Sequence, residues 1–277
     1  MTKIFINQPQ NQIMKKLNFS VLLGALIVSA VSLTFLSCSK DDLAPETTNA
    51  QVQDQIEPVK SASPSATARV GNQNNFFYSI DAEGQLGTIN ITSPNGKGNF
   101  NFTWSGVRQV VGGLGWSSTQ RINVGYNIGS VTTDNNLKFV GLYGWTRSPL
   151  TEYYVCERGP GALFNAGSAG NNYTVNNHTY VMTKSQRVQQ PSIDGTKTFW
   201  QVQGRWGGAA LNTNNAINVG AHLDNFKGAL GADFGLNFAT PSGGTNAYMV
   251  FGCEAYDYSN NGNNRISGAM NATIWKI

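Results

Sequence analysis

The sequence predicts an all-β fold, an antiparallel sandwich or barrel carrying one helix. Three observations point there. Gly and Asn account for 31 and 32 of the 277 residues, and both favour turns over helix interiors. Only 12% of residues are charged, about half the usual share. Beyond Asn74, apolar residues alternate with polar ones in short runs separated by Gly- and Asn-rich breaks, the period-2 signature of strands. The same numbers exclude several classes. Aromatic residues at 11% and a net charge of only +4 argue against intrinsic disorder. Two His and three scattered Cys form no metal-binding cluster, so no metal or other cofactor is expected. A phosphate-binding Gly-rich loop, a dinucleotide fingerprint and a Lys/Arg-rich run are all absent, and nucleic acid is not an expected partner.

Taken in order, the chain opens with an address. Residues 1–37 read as a signal segment, with Met14 suited to be its start, Lys15 and Lys16 as a positive head, and Leu17 to Leu36 as an apolar run ending in small residues. A run of this length also suits a transmembrane helix, but Ser and Thr interrupt it and a Cys ends it. Leu36-Ser37-Cys38 resembles a bacterial lipoprotein box, which implies cleavage before Cys38 and lipidation there. Such an anchor holds a protein to a membrane without spanning it. An outer-membrane location is expected, and Cys38-Ser39-Lys40-Asp41-Asp42 resembles the surface-export signal of some Gram-negative lipoproteins, which leaves either membrane face open. Without the leader, sixteen basic residues face fifteen acidic ones. Residues 38–73 are rich in Gln, Ser, Thr, Pro and Ala and read as a flexible tether. The globular domain is expected over 74–277.

Within that domain, Phe100, Phe102 and Trp104 share one strand face, and Ile122, Val124, Tyr126 and Ile128 share another. Further strands are expected near 137–145, 151–157, 198–206, 234–238 and 246–256. Asn215 to Leu230 departs from the pattern. Val219, Leu223, Phe226 and Leu230 recur there at helical spacing. Aromatics and amides on strand faces suit either a core or a carbohydrate groove.

The domain holds ten carboxylates, and most sit in turn-like or helical surroundings that suggest solvated surface positions. Glu152 and Glu254 differ, because each interrupts an apolar, aromatic strand. Burying a lone carboxylate is costly and raises its pKa, a cost more often met at a functional site than in a structural core. Strand parity puts Tyr154 on the side of Glu152 and Tyr256 on the side of Glu254. Two carboxylates facing one groove suit glycoside hydrolysis; two edge-strand surface acids are the plainer alternative. His178 and His222 read as structural. Cys156 and Cys253 are candidates for a disulfide, although parity sets Cys156 with Glu152 and Cys253 opposite Glu254.

Leu142-Tyr143-Gly144-Trp145-Thr146-Arg147-Ser148-Pro149-Leu150-Thr151-Glu152-Tyr153-Tyr154-Val155 closely resembles the nucleophile strand of glycoside hydrolase family 11, the endo-β-1,4-xylanases. Glu254-Ala255-Tyr256 resembles that family's acid/base segment. Arg187 to Thr196 is similar to its Arg strand and Pro-Ser-Ile thumb loop. Gly113-Leu114-Gly115-Trp116 and Ala221 to Phe226 match further landmarks in order. The resemblance covers residues 74–277. It implies a β-jelly roll of two twisted antiparallel sheets with a single α-helix, whose cleft hydrolyses xylan or xylo-oligosaccharides with retention. It implies Glu152 as nucleophile and Glu254 as acid/base, with carboxyl groups about 5–5.5 Å apart. Tyr143, Tyr154, Arg187 and Gln201 match residues that bind substrate or tune the carboxylates. Pro191, Ser192 and Ile193 match the thumb tip, Tyr256 matches a cleft tyrosine, and Gln109 stands where Asn or Asp usually neighbours the acid/base. A monomer is expected.

The departures from the family pattern are local. Tyr78-Ser79-Ile80-Asp81-Ala82-Glu83-Gly84 lacks the Trp that usually stacks on the sugar, Gln203 replaces a common aromatic, and Ala255 replaces Gly. A non-catalytic xylan-binding surface lipoprotein is the alternative that accommodates the altered subsite, and a related β-1,4-glycan is an alternative substrate.

Overall fold

In the computed structural model, residues 67–83, 87–133, 136–147, 149–159, 172–230, 247–259 and 264–277 are described. The leader, most of the tether, Cys38 and the strand expected at 234–238 lie outside them. The elements are β1 (Thr67–Gln73), β2 (Phe76–Glu83), β3 (Thr88–Thr92), β4 (Asn99–Val107), β5 (Gln109–Trp116), β6 (Asn123–Thr133) and β7 (Leu137–Thr146). They continue with β8 (Thr151–Arg158), β9 (Tyr173–Val175), β10 (His178–Ser192), β11 (Gly195–Arg205), β12 (Asn214–Asn218), α1 (Val219–Leu230), β13 (Met249–Tyr256) and β14 (Ile266–Lys276).

The strands form a nine-stranded sheet, in the order β1-β2-β5-β13-β7-β8-β11-β10-β9, and a five-stranded sheet, β12-β6-β14-β4-β3. This is the expected all-β architecture. Among the named strands, pairing is antiparallel with one exception: β11 runs parallel to β8, setting Gln201 opposite Glu152. Alternation explains the layering. In β4, Phe100, Phe102 and Trp104 are buried while Asn101 and Thr103 are exposed. In β6, Val124, Tyr126 and Ile128 are fully buried. These residues meet Tyr153 and Val155 of β8 and Met249, Phe251 and Cys253 of β13 in the main core.

The opposite face of the larger sheet carries a second, smaller cluster. Phe139, Tyr143 and Trp145 of β7, Tyr154 and Cys156 of β8, and Val250 of β13 belong to it. Strands β7, β8 and β13 are therefore buried on both faces, and their burial shows no alternation although their chemistry does. Glycine permits the close backbone packing beneath this face. A Cβ added at Gly252 would come within 1.8 Å of the Gly112 carbonyl oxygen.

Two boundaries differ from those expected. β1 begins at Thr67 and pairs with β2 throughout its length, so ordered structure starts upstream of Asn74. The helix begins at Val219 rather than Asn215, because residues 214–218 pair with β6 as β12. Asn218 then caps the helix, its side-chain oxygen accepting from the Ala221 N–H at 3.0 Å. Cys156 and Cys253 are both free; they lie on opposite faces of the sheet.

Candidate active site

A cleft of about 430 Å³ lies over the second cluster. Strands β7, β8 and β13 supply its floor. The β10–β11 hairpin forms one wall, and β2 and β5 form the other. Glu152, Glu254, Tyr143, Tyr154, Arg187, Pro191, Ser192, Ile193, Gln201, Tyr256 and Gln109 all line it. Residues spread over more than 140 positions of sequence thus converge on one concave surface.

Glu152 is only 8% exposed. Its Oε1 accepts from the Tyr143 hydroxyl at 2.9 Å, and that hydroxyl in turn accepts from the Trp145 indole N–H at 2.9 Å. Its Oε2 accepts from the Gln201 side-chain amide, which the parallel β8–β11 pairing brings alongside. Burial raises the Glu152 carboxyl; hydrogen bonds from Gln201, Tyr154 and Tyr143 and the positive charge of Arg187 pull against that rise.

Glu254 is 6% exposed and less well provided with donors. Its Oε1 accepts from the Gln109 amide at 3.0 Å. Burial, then the charge of Glu152, push its carboxyl up to about 8, and Gln109 opposes them. Two carboxyl groups that feel each other's charge lose their protons in sequence. Each acid has a cation nearby, Arg187 for Glu152 and Lys138 for Glu254, but Glu152 has more hydrogen-bond donors, so it ionises first and Glu254 keeps its proton. Burial and both carboxylate charges hold the Tyr154 phenol well above its ordinary value, so it remains a donor.

The Gln109 amide is itself oriented. The Tyr258 hydroxyl donates to Gln109 Oε1, which turns the amide NH2 toward Glu254. Tyr258 stacks on Tyr256, with ring centroids 4.9 Å apart, and the Arg108 guanidinium lies 5.5 Å from the Tyr258 ring centre.

The thumb-like hairpin is fixed at its tip. Ser192 Oγ donates to the Gly195 carbonyl at 2.6 Å and accepts from the Asp194 N–H at 3.1 Å. Asp194 receives a two-pronged contact from Arg147, at 2.6 and 3.1 Å, tying the tip to the β7–β8 turn. A bulge between Arg187 and Gln190 interrupts the pairing, and Gln189 adopts φ 50° there.

Two acids depart from the surface positions expected of them. Asp81 lines the cleft, half-buried. Glu157 is 0% exposed and accepts from Tyr126 and Tyr180 at 2.5 and 2.8 Å. Parity carried the missing signal: Asp81 shares the side of Phe77, and Glu157 has the opposite parity to Glu152 on a strand without a polar face. Tyr248, Phe199 and Tyr258 also line the cleft and were not singled out by the sequence. Both histidines have structural partners. His222 is buried against Tyr173, whose hydroxyl lies 2.8 Å from Nδ1, and burial lowers its pKa to about 3. His178 stacks on Trp206.

Comparison with known proteins supports the resemblance. Residues 73–267 match the family model described as "Glycosyl hydrolases family 11". Ethylene-inducing xylanase 4 of Verticillium dahliae is 32% identical over 193 residues, covering 68% of this chain and 79% of the relative. Endo-1,4-beta-xylanase 4 of Pyricularia oryzae is 31% identical over 202 residues, covering 71% and 78%. Endo-1,4-beta-xylanase A of Schizophyllum commune is 32% identical over 205 residues, covering 72% and 96%. These three relatives are fungal, and the leader and tether precede the family match. The fold, the cleft and the matched span agree: this chain belongs to glycosyl hydrolases family 11.

Proposed function

We propose that this chain is an endo-1,4-β-xylanase that cleaves β-1,4-xylosidic bonds within xylan by a retaining double displacement. The observation that carries the reading is the unequal provision of two buried acids in one cleft. Glu152, with two tyrosine hydroxyls, an amide and a guanidinium around it, is the ionised nucleophile. Its oxygen attacks the anomeric carbon and forms a glycosyl-enzyme. Glu254, protonated at neutral pH, gives its proton to the departing glycosidic oxygen. Once Glu152 has become an ester, its charge no longer raises Glu254. Glu254 then ionises more readily and takes a proton from the water that releases the sugar. Tyr143, Tyr154 and Gln201 hold Glu152 for attack. Arg187 and Gln190 on one wall, Tyr256 on the other, and Pro191, Ser192 and Ile193 at the thumb tip bind the sugar chain. The names of the relatives support xylan as the polymer.

The test is incubation of the protein with xylan and with cellulose, followed by chromatography of the products and NMR of the first-formed anomer. Short xylo-oligosaccharides with β-configured new ends, from xylan alone, are expected. No products from either polymer, with xylan binding retained, would establish the non-catalytic binding reading instead. Products from cellulose would redirect the substrate assignment.

For the leader we propose export and lipid attachment at Cys38, with the residues from Cys38 up to the start of β1 at Thr67 as the tether to an outer membrane. Its support is the Leu36-Ser37-Cys38 sequence after an apolar run. Mass spectrometry of the mature N-terminus should find a diacyl- or triacyl-modified Cys38; an unmodified Cys38 or a different cut overturns the proposal. Among the described residues, no helix is long and apolar enough to cross a membrane.

A further inference from the structure

Beyond its two central acids the cleft carries another carboxylate, Asp81, within the stretch that lacks the stacking Trp the family resemblance leads one to expect. Asp81 lies on β2, opposite Val111 of β5, and Val111 lies opposite Glu254 of β13. The three residues therefore face the same way along one row. Two strand spacings set the Asp81 and Glu254 backbones about 10 Å apart, roughly the reach from one sugar of a bound chain to its neighbour-but-one.

The electrostatic setting of Asp81 distinguishes it from the other charges near the cleft. Its carboxylate accepts from the Ala82 backbone N–H, and among the described residues no side-chain donor and no basic group pairs with it. The adjacent Glu83 pairs with Arg108 at 2.5 Å. Arg187 lines the cleft from the thumb strand, on the far wall. The β2 wall thus presents an unneutralised negative charge, and the thumb wall presents a positive one. Burial, followed by the charges of Glu152 and Glu83, raises the Asp81 carboxyl to about 6, so it is ionised in neutral solution.

We propose that Asp81 is a specificity-determining residue that favours neutral stretches of the polysaccharide and turns away sugar branches bearing a carboxylate. A neutral sugar meets it with hydroxyl donors that satisfy its free lone pairs. A uronic-acid branch carries hydroxyls too, but it also brings a like charge that repels the carboxylate. An aromatic ring at the same position would stack on either sugar and impose no such charge barrier. The inference rests on the reading of this cleft as xylan-hydrolysing.

The experiment compares kcat/KM on neutral arabinoxylan with kcat/KM on xylan bearing glucuronic acid branches, at pH 7.5, for the wild-type protein and Asp81→Asn. The substitution keeps the shape and removes the charge. The preference of the wild type for neutral xylan should narrow about fivefold in Asp81→Asn, the size of one charge pair a few ångströms apart in water. Raising salt to 1 M, where screening acts within about 3 Å, should narrow the wild-type ratio and leave that of Asp81→Asn unmoved. A ratio unchanged by the substitution overturns the proposal. So does a ratio that shifts on substitution but ignores salt, because Asp81 would then act through shape. If neutral xylan is not cleaved at all, the proposed function fails by itself. Retardation of the two proteins in gels containing each polysaccharide then reads the same ratio as binding and decides the inference alone.

Discussion

Strand β8 carries two buried glutamates five residues apart, and they have opposite fates. Glu157 points into the core between the sheets. Its two oxygens are taken by the hydroxyls of Tyr126 and Tyr180, and the main core packs around it. Glu152 points into the cleft. It too accepts from a tyrosine, but it shares its space with a second acid and with open volume. Burial raises both carboxyls, that of Glu157 to about 7. A buried, perturbed acid is therefore no sufficient sign of a reactive site. What separates the two is whether the surroundings close over the carboxylate or leave it facing a partner acid and room for a sugar.

The sharpest way to break this comparison is substitution at the cleft. Glu152→Gln and Glu254→Gln should each reduce xylan hydrolysis by about a thousandfold or more, as expected when a nucleophile or a positioned proton donor is lost. Reducing-sugar release measures this. Glu152→Gln should match or exceed the wild type in unfolding midpoint, because it removes a buried charge, whereas Glu254→Gln should move the midpoint little at neutral pH, where Glu254 already holds its proton. If both retain activity, the site lies elsewhere.

Glu157→Leu should do the reverse. It orphans two buried phenol hydroxyls, at a cost of about 2 to 4 kcal/mol in urea unfolding, while activity per folded molecule stays near wild type. The pH dependence of stability follows from the same residue. The folded protein holds the Glu157 proton up to about pH 7, whereas the unfolded chain releases it near the ordinary value of 4.5. The folded state therefore binds more protons across that window, and stability falls as pH rises through it. Asp81, raised to about 6, and Glu254, raised to about 8, act in the same direction. Glu157→Gln should flatten the slope without abolishing it.

Smaller effects test the walls of the cleft. Arg147→Ala frees the thumb tip from Asp194 and should raise KM about threefold with kcat little changed, a cost of the order of one partly exposed ion pair. Gln109→Ala removes a donor that stabilises ionised Glu254. Glu254 should then hold its proton to higher pH, and the basic limb of the kcat/KM profile should move upward by about half a unit to one unit. Tyr258→Phe releases the Gln109 amide from its fixed orientation and should move the limb the same way by less. A downward shift in either variant would contradict the role given to Gln109.

Much of the fold was legible because alternation is a local property. Phe100, Phe102 and Trp104 declared a strand face, and the helical spacing of Val219, Leu223 and Phe226 declared α1. Legibility failed where competition between elements decided the outcome. Asn215 to Asn218 adjoin the helical spacing that begins at Val219, yet an open edge of β6 captured them as β12, and Asn218 became the cap. Thr67 to Gln73 read as tether, because its residues are small and polar, but β2 offered them a partner. At the site, Glu152 and Glu254 stood out as acids within apolar strands. Asp81 and Glu157 did not, since a carboxylate beside Ala82 or Arg158 looks solvated until strand parity and the neighbouring sheet are known.

By itself, the sequence determined the class of structure, the two acids set apart by their strands, and the motifs that mark the family. Those follow from side-chain chemistry and from a periodicity of two, which every strand carries within itself. The tertiary structure alone decided which face of each strand looks into the cleft and that β11 runs parallel to β8, so that Gln201 meets Glu152. It alone decided that Asp81 joins the cleft while Glu157 is sealed in the core. These are relations between strands distant in the chain. Hydrogen-bond register and burial fix them, and no local pattern records either.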